Sequence, residues 1–286
     1  MRPSLECAAC VFTWVYERTA SHVEEAMRPR LSEAITLAVY FRPETENIGL
    51  LCNKAVYSAG DIESSRYAFY AAFKQRSNER AATLLPFAQK YIEGGETEKE
   101  RIERACVLAA ASNVAPLLAP AATFTFQEAI DIMEGRLSAV VMGDLYETVR
   151  NGRRVLYITD NAGEVGFDSL VLKTLKGAGV QVTLVVKEDP FFEDVRMDDV
   201  DYFHLEELVD EVLTAKGFFV SGEVDARLQS AYLGCDVLFV KGTGGFEALR
   251  GETTGKKAVF MLKVKCGPIS RDIGVEQGRV VVMVEG

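Results

Sequence analysis

The segment 159–164, Thr-Asp-Asn-Ala-Gly-Glu, places an acid and an amide directly after the apolar run 155–158. That run predicts a buried strand of a parallel sheet, so the polar cluster lies where the strand ends. Ligands of open α/β sheets bind outside the carboxyl ends of the strands. Asp and Asn oxygens at such a position suit Mg²⁺ or Mn²⁺, and Ni²⁺ or Co²⁺ can also bind there. Asp160 has a second interpretation, as the cap of a helix that begins near Val165.

A glycine-rich turn follows another predicted strand, 237–240. Its sequence, Lys-Gly-Thr-Gly-Gly-Phe-Glu at 241–247, would expose backbone N–H groups at a helix N-terminus, which binds phosphate. The alternative is an ordinary turn preceded by a solvated lysine. Acidic residues follow the early predicted strands, whereas lysines such as Lys265 follow the later ones. Because parallel strands end at the same edge of a sheet, a cation and an anion would bind there side by side.

The secondary structure predicted to position these residues changes near residue 150. Helical patterns dominate before that point, and strands alternate with helices after it, which is typical of a doubly wound sheet with right-handed crossovers. We therefore predict an α/β fold, with a helical domain over residues 1–149 and an α/β domain over 150–286. The predicted helices are 32–39, 61–75, 78–91, 99–111, 126–133, 165–176, 205–215 and 226–233. The predicted strands are 155–158, 180–186, 217–220, 237–240, 258–262 and 280–284.

Charge and composition limit the classes of partner that the chain can bind. The net charge is −10 with no basic stripe, which argues against nucleic acid or an anionic membrane as partner and favours a small ligand. The alanine-rich stretch 105–127 contains two prolines, so we predict a buried helix followed by a turn instead of a membrane span. The absence of an early signal sequence and the six scattered cysteines predict a cytoplasmic protein with reduced thiols. The oligomeric state is not indicated.

The sequence lacks the motifs of several common enzyme classes. No G-x-x-x-x-G-K-[ST] motif is present, no G-x-G-x-x-G follows the first strand of the α/β half, and the chain has two histidines. P-loop, nicotinamide, histidine-zinc and Ser-His-Asp chemistry are therefore disfavoured. Cys7 and Cys10 form one C-x-x-C, either half of a zinc or redox site, which Cys266 would join if the N-terminal helix lies nearby, or two thiols on a buried helix face.

Five motifs in this order resemble the damage-control phosphatases, long called domain of unknown function 89. They are the C-x-x-C at 7–10, Asp-Asn-Ala-Gly-Glu at 160–164, Asp194, the glycine-rich motif at 241–247 and Lys-Cys-Gly-Pro at 265–268. The resemblance implies a helical domain on a Rossmann-like, mostly parallel sheet, with Asp160, Asn161 and Asp194 as ligands of a divalent metal. It implies metal-dependent hydrolysis of small phosphate monoesters, such as sugar phosphates or damaged phosphometabolites.

Three positions depart from the family pattern. Gly245 and Glu193 stand where the family usually has Asn, and of its Gly-Asn…Asp element only Asn113 is kept, in Ser-Asn-Val-Ala-Pro at 112–116. A carboxylate at Glu193 would add negative charge beside the metal. We expect it to strengthen cation binding and to weaken phosphate binding.

These residues together give a mechanistic hypothesis. A bound Mn²⁺, Mg²⁺, Ni²⁺ or Co²⁺ would contact a phosphoryl oxygen and activate water. Glu247 or Glu193 would orient that water, and the sequence does not choose between them. Asp160 acting as a nucleophile is a less simple alternative to its role as a ligand. The phosphate would contact Lys241, the backbone of Gly242, Gly244 and Gly245, Ser221 and Lys265.

Two other functions remain open from the sequence. One is a non-catalytic protein that binds metal and a phosphometabolite. The other is a Rossmann enzyme with a nucleoside cofactor, such as a methyltransferase, since acidic residues near 187–189 follow Gly163 at about the distance that ribose recognition needs.

Overall fold

The computed structural model describes residues 1–40, 47–60, 66–117, 123–253 and 255–286. The helices are α1 Leu5–Thr19, α2 Arg28–Tyr40, α3 Ile48–Gly60, α4 Arg66–Glu93, α5 Glu98–Ala111, α6 Gln127–Met133, α7 Leu145–Asn151, α8 Glu164–Gly177, α9 Met197–Tyr202, α10 Ala226–Gly234, α11 Gly242–Leu249 and α12 Gly267–Ile273. The strands are β1 Val140–Met142, β2 Arg154–Ile158, β3 Gln181–Lys187, β4 Glu211–Ala215, β5 Val237–Lys241, β6 Lys257–Lys263 and β7 Val280–Glu285.

The strands of the described residues form one sheet in the order β1-β7-β6-β5-β2-β3-β4. Neighbouring strands are parallel except β6 and β7, which are antiparallel. The predicted mostly parallel α/β sheet is confirmed. From β2 the chain moves outward to β3 and β4, and β5 then returns to the other side of β2. The sheet therefore has a topological switch point between β2 and β5, where such folds bind ligands.

Helices cover both faces of the sheet and one of its ends. One buried apolar cluster joins α4, α5 and α8 to a sheet face that includes Tyr157 and Phe239. A second cluster joins α10, α11 and α12 to the opposite face, which includes Leu238 and Phe260. A third links α1, α2 and α3 to the loop residues Phe191, Phe192 and Phe218. The division at residue 149 stays a prediction, and β1, which precedes that residue, belongs to the sheet.

Two predictions in the α/β half are wrong. The segment predicted as a helix over 205–215 is a short 3₁₀ helix followed by β4, which pairs with β3, because pairing with a neighbouring strand overrides local helical spacing. The segment predicted as a strand over 217–220 lies outside the sheet. The backbone N–H of Phe218 donates to Asn53 Oδ1 at 2.7 Å and its carbonyl accepts from Asn53 Nδ2 at 2.9 Å. An α3 side chain therefore takes the hydrogen bonds that a strand neighbour would make.

The helical half also differs from prediction. Residues predicted as two helices, 61–75 and 78–91, belong to the single helix α4, and 61–65 lie outside the described residues. Asn78, the first residue of the second predicted helix, lies inside α4, and its side chain accepts from Gly163 N and donates to Asp199. The membrane-like stretch begins within α5, whose last three alanines are fully buried. Among the described helices, none combines the length and the hydropathy that a membrane span requires.

Candidate functional site

The loops after β2 and β3 are tied together at the switch point. Asn161 and Asp194 form an antiparallel backbone bridge. Ala162 N donates to Glu193 O at 2.9 Å, and Val195 N donates to Asp160 O at 2.9 Å. This pairing brings together the three residues predicted as metal ligands, although Asp194 lies on a separate loop. Their role as ligands stays a prediction.

The Asp160 carboxylate is held from several directions. Its Oδ2 accepts from Asn113 Nδ2 at 2.8 Å and from Asn161 Nδ2 at 2.8 Å. Gly242, with φ +75°, lies so close that a Cβ there would overlap this carboxylate. The N-cap of α8 is Gly163, so the alternative that Asp160 caps this helix is wrong. Asp160 points into the site.

Two buried carboxyl groups share the site and resist ionisation. Burial, reinforced by Glu164, raises the pKa of Asp160 to about 7. Burial also raises the pKa of Asp194 to about 7, against the opposing effect of Lys187 and with a contribution from Asp160. Lys187 Nζ lies 3.1 Å from Asp194 Oδ2, yet within the described chain no donor is aligned on that oxygen. Buried carboxylates that repel one another, as Asp160 and Asp194 do, are stabilised by positive charge, and Lys187 supplies part of that charge to Asp194.

The donor set fits a hard divalent metal. Asn161 Nδ2 donates to Asp160 Oδ2 and to Glu164 Oε1, at 2.8 and 2.9 Å, which leaves Asn161 Oδ1 for another partner. Two carboxylates and an amide oxygen are the ligand types that Mg²⁺ and Mn²⁺ prefer. Within the described residues no three His, Cys, Asp or Glu side chains converge on one point, so such a site depends on Asn161.

Lys241 lies beneath the site and does not line it. Its Nζ is fully buried, 3.3 Å from Asp168 Oδ1 and 3.6 Å from Glu164 Oε2, and donates to the carbonyl of Ala109. Burial lowers the pKa of Lys241, but these carboxylates outweigh burial and raise it. Lys241 therefore neutralises buried acids behind Asp160, and its predicted contact with phosphate has no counterpart in this geometry.

A cavity of about 270 Å³ opens beside these residues. Asp160, Asn161 and Asp194 line it, as do Thr243, Gly244, Glu247 and Lys265 from the predicted phosphate side. Burial lowers the pKa of Lys265, although Glu164 and Asp160 oppose that shift. Burial raises the pKa of Glu247 to about 7. Acids, a lysine and a hydroxyl therefore face one space.

Glu193 also lines the cavity, but its charge is already paired. Its Oε1 lies 2.7 Å from Arg18 Nη2, and both side chains are almost completely buried. Arg18 also donates to the carbonyls of Pro116 at 2.8 Å and Leu117 at 3.0 Å. Arg18 thus joins α1, the segment after α5 and the loop after β3. The negative charge expected beside the metal is compensated by this arginine.

The sequence of this chain matches a known protein family. The model of the damage-control phosphatase ARMT1-like domain matches residues 4–281. The chain belongs to this family. A damage-control phosphatase of Archaeoglobus fulgidus is 26% identical over 294 residues, which cover 99% of each chain. A damage-control phosphatase of Pyrococcus horikoshii is 27% identical over 220 residues, 75% of this chain and 74% of that one.

A solved structure shows the same fold. The crystal structure of a domain-of-unknown-function-89 protein from Pyrococcus horikoshii superposes with a TM-score of 0.78 at 22% identity and covers 99% of both chains. The resemblance found in the sequence motifs is therefore confirmed. The chain is a phosphatase of the damage-control family.

Several predicted phosphate contacts lie outside the cavity lining of this damage-control phosphatase. Ser221 Oγ accepts from Gln229 Nε2 at 3.3 Å and is absent from the cavity lining. A Cβ at Gly245 would lie 2.8 Å from Val240 Cγ1, so Gly245 faces the strand before it. Gly242 lies against Asp160, and Gly244 alone of the three predicted glycines lines the cavity.

Two residues of the site were missed in the sequence. Arg18 shares a helix face with Cys7, Val11 and Val15, and an arginine on the buried face of an amphipathic helix was the available signal. Thr243 lies inside the recognised glycine motif. Thr243 lines the cavity, and its buried Oγ1 lacks a hydrogen-bond partner among the described residues, which makes this hydroxyl a candidate donor to a ligand oxygen.

Proposed function

We propose that this phosphatase depends on a divalent metal, Mn²⁺, Mg²⁺, Ni²⁺ or Co²⁺, held by Asp160, Asn161 and Asp194. The supporting observation is that Asp160 and Asp194, two buried carboxyl groups with pKa values of about 7, are brought together by the backbone bridge between Asn161 and Asp194. When bound, such an ion neutralises phosphoryl charge and lowers the pKa of water. The proposed substrates are small phosphate monoesters, in keeping with the names of the relatives.

The chain supplies the remaining phosphate contacts. Thr243 and Gly244 are the two residues in the first turn of α11 that line the cavity. The Thr243 hydroxyl and the backbone N–H groups of both residues donate hydrogen bonds to phosphate oxygens, at the positive end of the helix dipole. Lys265 adds a charged donor in the cavity. Lys241 acts indirectly, because its buried charge holds Glu164 and thereby the Asn161 amide in place.

Glu247 is the better candidate for accepting the proton of the attacking water. Glu193 is engaged by Arg18, which donates from Nη2 and Nε. Glu247 lines the same cavity with a pKa of about 7, and a general base works best when its pKa lies near the working pH. Glu193 instead fixes Arg18 as part of the cavity wall.

The test is phosphate release from a panel of sugar phosphates and other small monoesters. Activity should disappear with EDTA and return with at least one of the four metals. Asp160→Asn should lose activity and metal affinity, whereas Asp131→Asn, on α6 and outside the cavity lining, should keep both. Release that survives EDTA, or that is undiminished in Asp160→Asn, would contradict the metal site. Metal binding without release of phosphate from any ester would point to a non-catalytic binding protein.

A further inference from the structure

One part of the cavity wall is apolar and belongs to no phosphate or metal contact. Val11 and Trp14 of α1, Ile48 of α3 and Phe218 line it. We call these four residues the apolar wall. Three of them come from the N-terminal helices, so the helical half supplies most of this surface.

Trp14 is held rigidly in that wall. Its ring stacks on Phe218 with centroids 6.1 Å apart and an interplanar angle of 29°, and meets the edge of Phe192 at 5.3 Å. The guanidinium of Arg18 lies 5.5 Å from the Trp14 ring centroid. Phe218 is fixed in turn, because its ring fills the space where a Cβ of Gly244 would be. The aromatic surface is therefore preorganised beside the glycine-rich turn.

The neighbouring cysteines extend the same character. Cys7, Cys10 and Cys52 line the cavity next to the apolar wall. Burial raises the pKa of Cys10 to about 11 and raises that of Cys52 well above its usual value. Cys7 and Cys52 are buried and Cys10 is exposed, and a free cysteine behaves as a small, largely apolar side chain. The C-x-x-C motif thus contributes uncharged lining to this part of the cavity.

We propose that the apolar wall binds the organic part of the substrate and selects phosphate monoesters with a flat aromatic or other apolar group over polyhydroxylated sugar phosphates. The inference rests on the proposed function of the site. A sugar ring needs a hydrogen-bond partner for each buried hydroxyl, and Val11, Ile48 and Phe218 provide none. Gln277 also lines the cavity and can serve one polar group of a substrate.

Binding can be measured without turnover. Trp14 is the single tryptophan of the chain, so its fluorescence reports on this wall alone. Benzylphosphonate and methylphosphonate are not hydrolysed and differ by one phenyl ring. With Mg²⁺ present, benzylphosphonate should bind about 10- to 100-fold more tightly than methylphosphonate, as expected for burial of one aromatic ring, and should change the Trp14 emission. Equal affinities in the wild-type protein would overturn the proposal.

Variants of Trp14 test whether the apolar wall causes the tighter binding of benzylphosphonate, with both affinities measured by calorimetry. Trp14→Ala should lose most of the benzyl advantage and keep methylphosphonate affinity, whereas Trp14→Phe should keep most of that advantage. Phe87→Ala removes an exposed aromatic ring elsewhere and should change neither affinity. A benzyl advantage that persists fully in folded Trp14→Ala would contradict the role of this wall.

Turnover separates the two proposals. With an activating metal, kcat/KM for 1-naphthyl phosphate should exceed that for glucose 6-phosphate, and Trp14→Ala should reduce the first more than the second. A preference for the sugar phosphate would refute the apolar wall and leave the phosphatase site standing. No release from any ester, together with a benzyl advantage in binding, would refute catalysis and leave the wall standing.

Discussion

Gly242→Ala should separate backbone strain from damage to the site. Gly242 has φ +75°, and a Cβ there would overlap the Asp160 carboxylate. A left-handed backbone costs a non-glycine residue about 1–2 kcal/mol. The overlap adds a second effect, because Asp160 must move. A displacement of about 1 Å at a reacting centre can cost about 100-fold in rate.

Gly251 provides the matched control. It has φ +78°, and no heavy atom lies within 4 Å of a Cβ built on it. Gly251→Ala should therefore lose about 1–2 kcal/mol of unfolding free energy with unchanged catalysis. Gly242→Ala should lose at least as much unfolding free energy as Gly251→Ala. Its kcat/KM should fall about 100-fold, and its metal affinity should fall at least about tenfold. Urea unfolding, calorimetric metal titration and phosphate release measure the three quantities. The reasoning fails if folded Gly242→Ala binds metal and turns over substrate as Gly251→Ala does.

Three further changes probe the charges around the cavity. Burial raises the pKa of Glu247 from 4.5 to about 7, so Glu247 favours the folded state below pH 4.5 and loses that contribution as the pH rises through 7. Glu247→Gln should remove up to about 3 kcal/mol of this pH dependence, and identical urea-unfolding profiles against pH would contradict it. Glu193→Asn removes the carboxylate partner of Arg18, so the positive charge of Arg18 should weaken metal binding and tighten phosphate binding. Unchanged affinities for both the metal and phosphate in calorimetry would refute this. Lys241→Met should lower the unfolding free energy by about 3–5 kcal/mol, because it leaves buried acids unpaired, and Lys241→Met/Asp168→Leu should recover part of the loss. A raised KM at unchanged stability would instead support direct phosphate binding by Lys241.

The sequence located the part of the site that depends on strand ends. Asp160 and Asn161 follow a strongly apolar strand, and the convergence of parallel strands at one edge is a general property of the fold. This rule placed them near Asp194 and beside Gly242, as the structure shows. Such predictions succeed because they need only local pattern and a known topology.

The direction of the Lys241 side chain follows from the alternation of side chains along β5. Side chains alternate along a strand, and Val237 and Phe239 face the cluster that contains α5 and α8. Lys241 continues that alternation, so it enters the same layer and meets Asp168 and Glu164. A side chain at the carboxyl end of a strand can thus pack between the sheet and a helix instead of lining the site.

Arg18 could not be assigned from local sequence. Its hydrogen-bond partners Pro116, Leu117 and Glu193 lie 98, 99 and 175 positions away. Which carbonyls and carboxylates meet a given arginine depends on how the helices pack on the sheet. The misassigned segment 217–220 has the same origin, because its hydrogen bonds go to Asn53 on a distant helix.

The contacts of Arg18 also bear on how the molecule is assembled. Contacts between segments so far apart in the chain close long loops, and a fold that depends on many such contacts folds slowly. The sheet can gain most of its parallel pairing from residues after 150, but its cavity has no complete wall until α1 docks. Substrate binding is thus a property of the finished chain, and the first twenty residues complete a site whose acids lie more than a hundred positions away.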